Sequence, residues 1–365
     1  MTEWAACKKI LCVRADNMGD VLMSSPALRA LKETFNPSIT LLTSSKGAPI
    51  AQMVPYVDEV ITADLPWVQT DTSYGGRSML TLIDQVREGH FDGCIIFTVY
   101  SQSALPAAML ASLCEIPLVL AYCRENPYQL LSNWVIDKEP YNVITHQVAR
   151  DLALVNEIGA RTSDETLAIT DLVKSSVVSD KLSTITGLRF DEYLILHPGV
   201  SEEKRRYPLE LWIKAGTEIM KTFSLPLLLS GNLEERPLCE EIARGIGEGA
   251  FVVAGELSLA EMVALVRHAR CLLSVNTGIV HIASAVATPT VVLYARTNPQ
   301  HKPWKNRYVC LEFSINERLK SRNQVINFVN QSIYSEWVPY PSSLAIVSAV
   351  ESLLSEKGDD IILAK

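Results

Sequence analysis

Three short polar segments, each directly after an apolar run, hold residue types that activate a hydroxyl or grip a phosphate. The first, Arg14-Ala-Asp-Asn-Met-Gly-Asp20, follows KILCV and precedes VLMSSPALRALKETF. A carboxylate at a helix N-terminus is favoured by the helix dipole, so Asp20 is placed either to cap the helix or to accept a proton. Gly19 permits a tight turn or close backbone approach beside it. The second segment runs from His197-Pro-Gly199 to Trp212, with Lys204, Arg205 and Arg206 in succession before a Pro-initiated helix. Such cations neutralise a diphosphate through charge-assisted hydrogen bonds, or form a solvated basic run, and Gly199 opens the loop that carries them. The third is Ser274-Val-Asn276-Thr277-Gly278-Ile-Val-His281. Thr277 and Gly278 offer backbone N–H groups and a hydroxyl to phosphate at a helix start. His281, near one helical turn on, either reaches the same loop or packs as a structural residue. Gly245-Ile-Gly247-Glu-Gly249 follows a helical pattern rather than a strand and reads as a turn, not a dinucleotide fingerprint.

The elements that must position these segments alternate in βα fashion, the pattern of a parallel sheet covered on both faces. Apolar runs predict strands at 9–13, 38–43, 59–63, 94–99 and 117–122, then again at 193–197, 225–230, 251–255, 271–275 and 290–295. A helix is expected from about Gly19 to Phe35, and others centre near 213, 240, 263 and 283. Polar, irregular sequence from Ile158 to Phe190 marks a connection between two α/β domains, a first at 1–165 and a second at 185–345. Residues 319–341 follow no clear pattern, a helix is expected at 343–355, and the segment 346–365 is expected to return to the first domain. Two doubly wound units carry their ligand loops at strand C-termini, so a donor and an acceptor are expected to meet in a shared central cleft.

Composition limits the partners. A net charge of −8 and a pI near 5.4 exclude the broad basic field that non-specific nucleic-acid binding needs. The eight cysteines are irregularly spaced, without a CxxC pair, and are expected as buried thiols in a reducing compartment. MTEWAACKKI lacks the pattern of a secretory signal, and the apolar tract from Ser103 to Tyr122 is broken by Glu115 and Pro117, so a helix followed by a strand is expected there rather than a membrane span. A cytoplasmic protein is expected.

Taken together, the stretch from Arg14 to Lys32, the HPG…RYP…W loop, Ser230-Gly-Asn-Leu-Glu-Glu235 and the stretch from Val275 to Tyr294 resemble glycosyltransferase family 9, the bacterial heptosyltransferases of lipopolysaccharide assembly. The resemblance spans about residues 8–300 and implies the GT-B fold, two Rossmann-like domains. It further implies an inverting, metal-independent transfer without cofactor, in which Asp20 takes the proton of an acceptor hydroxyl. Thr277, Gly278 and His281 match donor-binding positions, and Glu234 or Glu235 matches a nucleotide-side carboxylate. The family's basic position, often Lys, falls on Arg205, or on Lys204 if the loop slips by one. One departure stands out: the family usually has Asp where this chain has Asn276. The donor implied is ADP-L-glycero-D-manno-heptose, and the acceptor a lipopolysaccharide-core-like glycan or glycolipid, reached by peripheral association with the inner face of the cytoplasmic membrane. A transferase using another nucleotide hexose, a non-catalytic sugar-nucleotide-binding protein and a same-fold epimerase stand as alternatives.

Overall fold

KILCV forms the middle of a sheet because a strand covered on both faces can be apolar at every position, and all of its residues after Lys9 are buried. The computed structural model describes residues 3–68, 76–189 and 192–355, and the chain divides into two units, Met1–Thr170 with Asn323–Phe328, and Asp171–Arg322 with Val329–Lys365. The first unit contains β1 (Lys9–Val13), α1 (Met18–Phe35), β2 (Ser38–Thr43), α2 (Ala48–Ala51), β3 (Glu59–Thr62) and α3 (Gly76–Glu88). It continues with β4 (Gly93–Ile96), α4 (Leu105–Leu113), β5 (Leu118–Cys123), β6 (Asn133–Ile136) and α5 (Gln147–Asn156). The second unit begins with α6 (Ser175–Thr186), β7 (Leu194–His197), α7 (Leu209–Phe223), β8 (Leu227–Leu229), α8 (Arg236–Ile246) and β9 (Ala250–Val252). Then come α9 (Leu259–His268), β10 (Cys271–Val275), α10 (Gly278–Ala285), β11 (Thr290–Ala295) and β12 (Tyr308–Phe313). Helix α11 (Gln324–Ser332) straddles the division, and α12 (Ser343–Ser355) closes the described chain.

Each sheet has six parallel strands in the doubly wound order, β3-β2-β1-β4-β5-β6 in the first unit and β12-β11-β10-β7-β8-β9 in the second. The chain therefore reverses its direction of winding between β1 and β4, and between β7 and β10. At those two places the loops at the strand C-termini part to leave a crevice. Helix α1 covers the first sheet with an almost continuously buried face from Val21 to Leu31. Pro26 lies inside it and cannot donate to Leu22 O; the Ser25 hydroxyl donates there instead, at 2.6 Å.

The ten expected strands are present, and each sheet gains one more at an edge, β6 and β12. Neither is a continuous apolar run that would mark a strand. In β6, Trp134 and Ile136 point to solvent, and in β12, Glu312 pairs with Arg296 and Lys302. Within the region expected as an irregular connection, Ser175–Thr186 is helical, held by buried Val178 and Leu182. In the patternless tail, Gln324–Ser332 is helical. The tract from Ser103 to Tyr122 contains helix α4 and most of strand β5, and no helix among the described residues is long and apolar enough to cross a membrane. Seven cysteines are buried, whereas Cys310 is half-buried on the edge strand β12. Gly247 and Gly249 adopt positive φ just past α8, as a turn requires. The expected return of 346–365 to the first domain finds a different arrangement as far as it is described. Ile346, Ala349, Val350 and Leu353 face the second core, against α7 and β10 to β12, because their spacing makes a single apolar stripe. Residues 356–365 lie outside the described residues. Asn323–Phe328 group with the first unit instead, where the Phe328 ring packs tilted against Tyr141, centroids 4.9 Å apart.

Candidate active site

In the first unit the loop between β1 and α1 opens at the reversal point of the sheet. Asn17 is the N-cap of α1, which puts Asp20 at the third helical position rather than at the cap itself. From there its Oδ2 accepts from the Asn17 backbone N–H at 3.3 Å, while its Oδ1 accepts from Arg14 Nη2 at 3.1 Å. Capping and a charged hydrogen bond are thus both realised, one on each oxygen. Gly19 makes no turn: it is a buried residue of ordinary helical backbone inside the first turn of α1. Arg14 is fully buried, and its Nε lies 3.4 Å from Asp16 Oδ2. Across the crevice, Gln102 from the loop after β4 donates to Asp16 Oδ1 at 2.5 Å. From α5, Asp151 accepts from Ser24 and Gln147, both at 2.8 Å. Burial pushes the carboxyls of Asp16 and Asp151 up to about 6, although the positive charge of Arg14 opposes it in both.

In the second unit the loops after β7, β8 and β10 converge at the C-terminal end of the sheet. Ser274 Oγ donates to His197 O at 2.9 Å and ties the ends of β10 and β7 together. The His197 imidazole meets Ser230 Oγ at 3.0 Å, and burial lowers its pKa despite the nearby Glu235. Glu235 turns its carboxylate onto Gly199, where a Cβ would stand 2.1 Å from the carboxyl carbon; only glycine leaves that space. Asn232 and Glu235 hold each other reciprocally, backbone N–H to side-chain oxygen, at 2.8 and 2.9 Å. Arg205 closes a 3-10 turn and donates from Nη1 to Asn276 O at 3.1 Å, linking the cationic loop to the turn before α10. Its Nη2 pairs with Glu202, which also binds Lys204 at 2.7 Å. Burial raises the Glu202 pKa, but these two cations outweigh it and hold the carboxyl below its ordinary range.

Of the residues singled out from sequence, Arg205, Asn276, Thr277 and Gly278 come together, as do Gly199 and Glu235. Thr277 is the N-cap of α10 and Gly278 its first residue, but the Thr277 N–H, expected to face phosphate, donates to Val275 O at 2.8 Å instead. Glu234 is exposed, whereas Glu235 lies against Gly199 and is the carboxylate at the glycine loop. Lys204 is half-buried on Glu202, and Arg206 is exposed without an ion pair among the described residues. His281 is buried in α10, its ring 6.3 Å from that of His301 and nearly perpendicular to it. The Asn276 side chain is spent on its own sheet. Its Nδ2 donates to Ala295 O and Thr297 Oγ1, each at 3.1 Å, and its Oδ1 accepts from Ala295 N at 3.0 Å. Sequence reasoning passed over Asp16, Gln102 and Asp151. Asp16 lies inside the first motif and was within reach of the same argument as Asp20; the other two come from distant loops and helices without a motif.

Two doubly wound parallel sheets, each with its polar constellation at the strand C-termini, constitute the GT-B fold of glycosyltransferases. The chain belongs to glycosyltransferase family 9 (heptosyltransferase), whose family model matches residues 79–329, and is thereby a glycosyltransferase. That match contains the second constellation and leaves Arg14 to Asp20 outside it. Lipooligosaccharide heptosyltransferase 2 of Haemophilus influenzae is 24% identical over 305 residues, which cover 80% of this chain and 85% of that protein. The fold is that of the glycosyl transferase family 9 crystal structure from Veillonella parvula, with a TM-score of 0.74 at 17% identity, covering 95% of this chain and 97% of the other. E. coli ADP-heptose lps heptosyltransferase II superposes with a TM-score of 0.67 at 20% identity, over 95% and 98% of the two chains.

Proposed function

We propose that this protein transfers heptose from ADP-heptose to a hydroxyl of a lipopolysaccharide-core-like acceptor, with inversion and without a metal ion. The observation that carries the reading is the presence of unlike chemistries at the two reversal points: an oriented carboxylate in the first unit, and an arginine bound to the turn that starts α10 in the second. In this reading Asp20 accepts the proton of the acceptor hydroxyl as its oxygen attacks the anomeric carbon. The bond from that carbon to the diphosphate breaks, and ADP departs with the electron pair. Arg205, Lys204, the Thr277 hydroxyl and the N–H group of Gly278 stabilise the negative charge that gathers on the leaving group. Arg206 adds to the same positive field, Glu235 and His281 flank the nucleotide sugar, and Asn276 serves by holding the turn through β11. ADP-heptose is favoured because a solved structure of the same fold is an ADP-heptose enzyme and because the family is one of heptosyltransferases. Action at the cytoplasmic face of the membrane follows from the lipid-linked acceptor in this reading. A mass-spectrometric panel of nucleotide sugars, with and without core-glycan acceptors, tests it. Acceptor-dependent ADP release and a heptosylated product are expected from ADP-heptose. Product from a nucleotide hexose instead would reassign the donor, and donor conversion without any acceptor would point to epimerisation.

A further inference from the structure

We propose that Glu202 is a built-in competitor for the diphosphate of the nucleotide, holding Lys204 and Arg205 until a diphosphate displaces it. This role rests on the reading of those two cations as diphosphate ligands. The Glu202 carboxylate spans both: Oε1 accepts from Lys204 Nζ at 2.7 Å, and Oε2 pairs with Arg205 Nη2. A carboxylate and a diphosphate cannot sit on the same two cations at once, because their like charges would meet at close range in a half-buried loop. One of them must leave.

Glu202 is attached in a way that lets it go. It is the N-cap of the 3-10 turn Glu203–Arg205, yet its side chain does not cap that turn. Among the described residues the two cations are all that holds the carboxylate. Its side chain is 39% exposed, so both pairs are partly solvated and individually weak. Arg205, by contrast, does not depend on that carboxylate for its place. Its Nη1 donates to Asn276 O at 3.1 Å, and its backbone N–H donates to Glu202 O at 3.0 Å. Nor does Glu202 use all that Arg205 presents. Nε, on the same edge of the guanidinium as Nη2, is buried without a hydrogen-bond partner among the described residues. That edge can hold two oxygens in parallel, the geometry in which arginine grips phosphate. A diphosphate carries more charge and more acceptor oxygens than one carboxylate, so it wins the exchange, at a cost that Glu202 sets. The exchange runs in reverse when ADP leaves. Burial pushes the Glu202 carboxyl up, but Arg205 and Lys204 outweigh burial and hold it below its ordinary range, so it is ionised and pairs again at neutral pH. Glu202 thereby lowers the affinity for donor and product alike and shortens the stay of ADP.

The test is calorimetric titration of ADP into the full chain and into Glu202→Gln, Glu203→Gln, Arg205→Ala and the Glu202→Gln/Arg205→Ala double variant, each checked for folding by thermal denaturation. Glu202→Gln should bind ADP about 3- to 10-fold more tightly, the scale of two half-exposed ion pairs. In steady state its KM for the donor should fall by a similar factor while kcat does not rise. Glu203 is exposed and forms no ion pair among the described residues, so Glu203→Gln makes the same change in net charge and should leave affinity within about 2-fold. In the Arg205→Ala background the gain from Glu202→Gln should shrink, because one of its two cations is gone. Unchanged or weaker ADP binding by folded Glu202→Gln overturns the competitor role, and weaker binding would make Glu202 a support for the loop. An equal gain from Glu203→Gln would reduce the effect to net charge and overturn it as well. Parent-like affinity of Arg205→Ala instead overturns the assignment of these cations to the diphosphate. Should Glu202→Gln not fold, Glu202→Ala is read in the same way.

Discussion

Replacing Asn276 with Asp changes one atom and should destabilise the second unit in a pH-dependent way. The amide donates both of its hydrogens, to Ala295 O and Thr297 Oγ1, and accepts from Ala295 N, all within 3.1 Å. An ionised carboxylate keeps only the last of these. Thr297 can turn its hydroxyl toward the new acceptor, but it then abandons Ala295 O, to which it donates at 3.2 Å. That carbonyl faces an oxygen with no hydrogen between them. Asn276 is only 8% exposed, so water does not readily repair the loss. A buried acceptor left unsatisfied costs about 1–3 kcal/mol. For a unit of this size each kcal/mol lowers Tm by roughly 2–4 °C, which gives a fall of about 2–12 °C near pH 8. The buried carboxyl would have a pKa above its value in the unfolded chain. The penalty is therefore absent below about pH 4, where the acid form returns one donor, and grows as pH rises through the folded-state pKa. Thermal denaturation of parent and variant at pH 4.5 and pH 8 measures the difference. ADP affinity should fall with stability, since Asn276 O is the acceptor for Arg205. A variant as stable as the parent at pH 8 would refute this account of the turn.

Other consequences follow from the same contacts. Arg205→Ala should weaken ADP binding by about 1.5–3 kcal/mol, roughly 10- to 150-fold, with smaller losses for Lys204→Ala and Arg206→Ala; equal small losses by calorimetry would reduce the three to a solvated run. Gly199→Ala should leave the fold intact, because the clashing atoms belong to the mobile end of a side chain, yet displace the Glu235 carboxylate and lower ADP affinity as Glu235→Gln does. Normal affinity in folded Gly199→Ala would remove Glu235 from the donor site. Asp151, raised to about 6, favours the folded state most below the unfolded-state pKa near 4, and that advantage is lost as pH rises through 6. The Tm of Asp151→Asn relative to the parent should therefore climb between pH 5 and 7, and a flat or falling difference would contradict the burial of that charge.

The strands legible in the sequence are those whose surroundings leave one mark. KILCV, SITLLT and CLLSV are buried along nearly their whole length and so are apolar at most positions. NWVI and YVCLEF lie at sheet edges, where one side of the strand meets water or an ion pair, and their patterns fade into loop sequence. Helices 175–186 and 324–332 bury only two residues each, so the core leaves little mark on their sequences. In the site, Asp20, Arg205 and the Asn276-Thr277-Gly278 turn were legible because each follows a strand within a few residues. What the motifs could not convey is how the polar atoms are spent. Asn276 turns into β11, Glu202 occupies two of the three cations, and Asp16 shares Arg14 with Asp20, and each depends on a partner set by folding rather than by adjacency to a motif. Gly199 and Glu235 were each visible in the sequence, but the contact that makes one require the other was not.

The most direct test of the account is to measure, on one preparation of Asp20→Asn, both sugar transfer from ADP-heptose and ADP affinity. A general base contributes on the order of 10²-fold or more, and the amide oxygen can still accept from one of the two donors, Arg14 or Asn17. The account predicts a folded protein that binds ADP like the parent and transfers at least about 100-fold more slowly at saturating substrates. Near-parent turnover by that folded protein would contradict it.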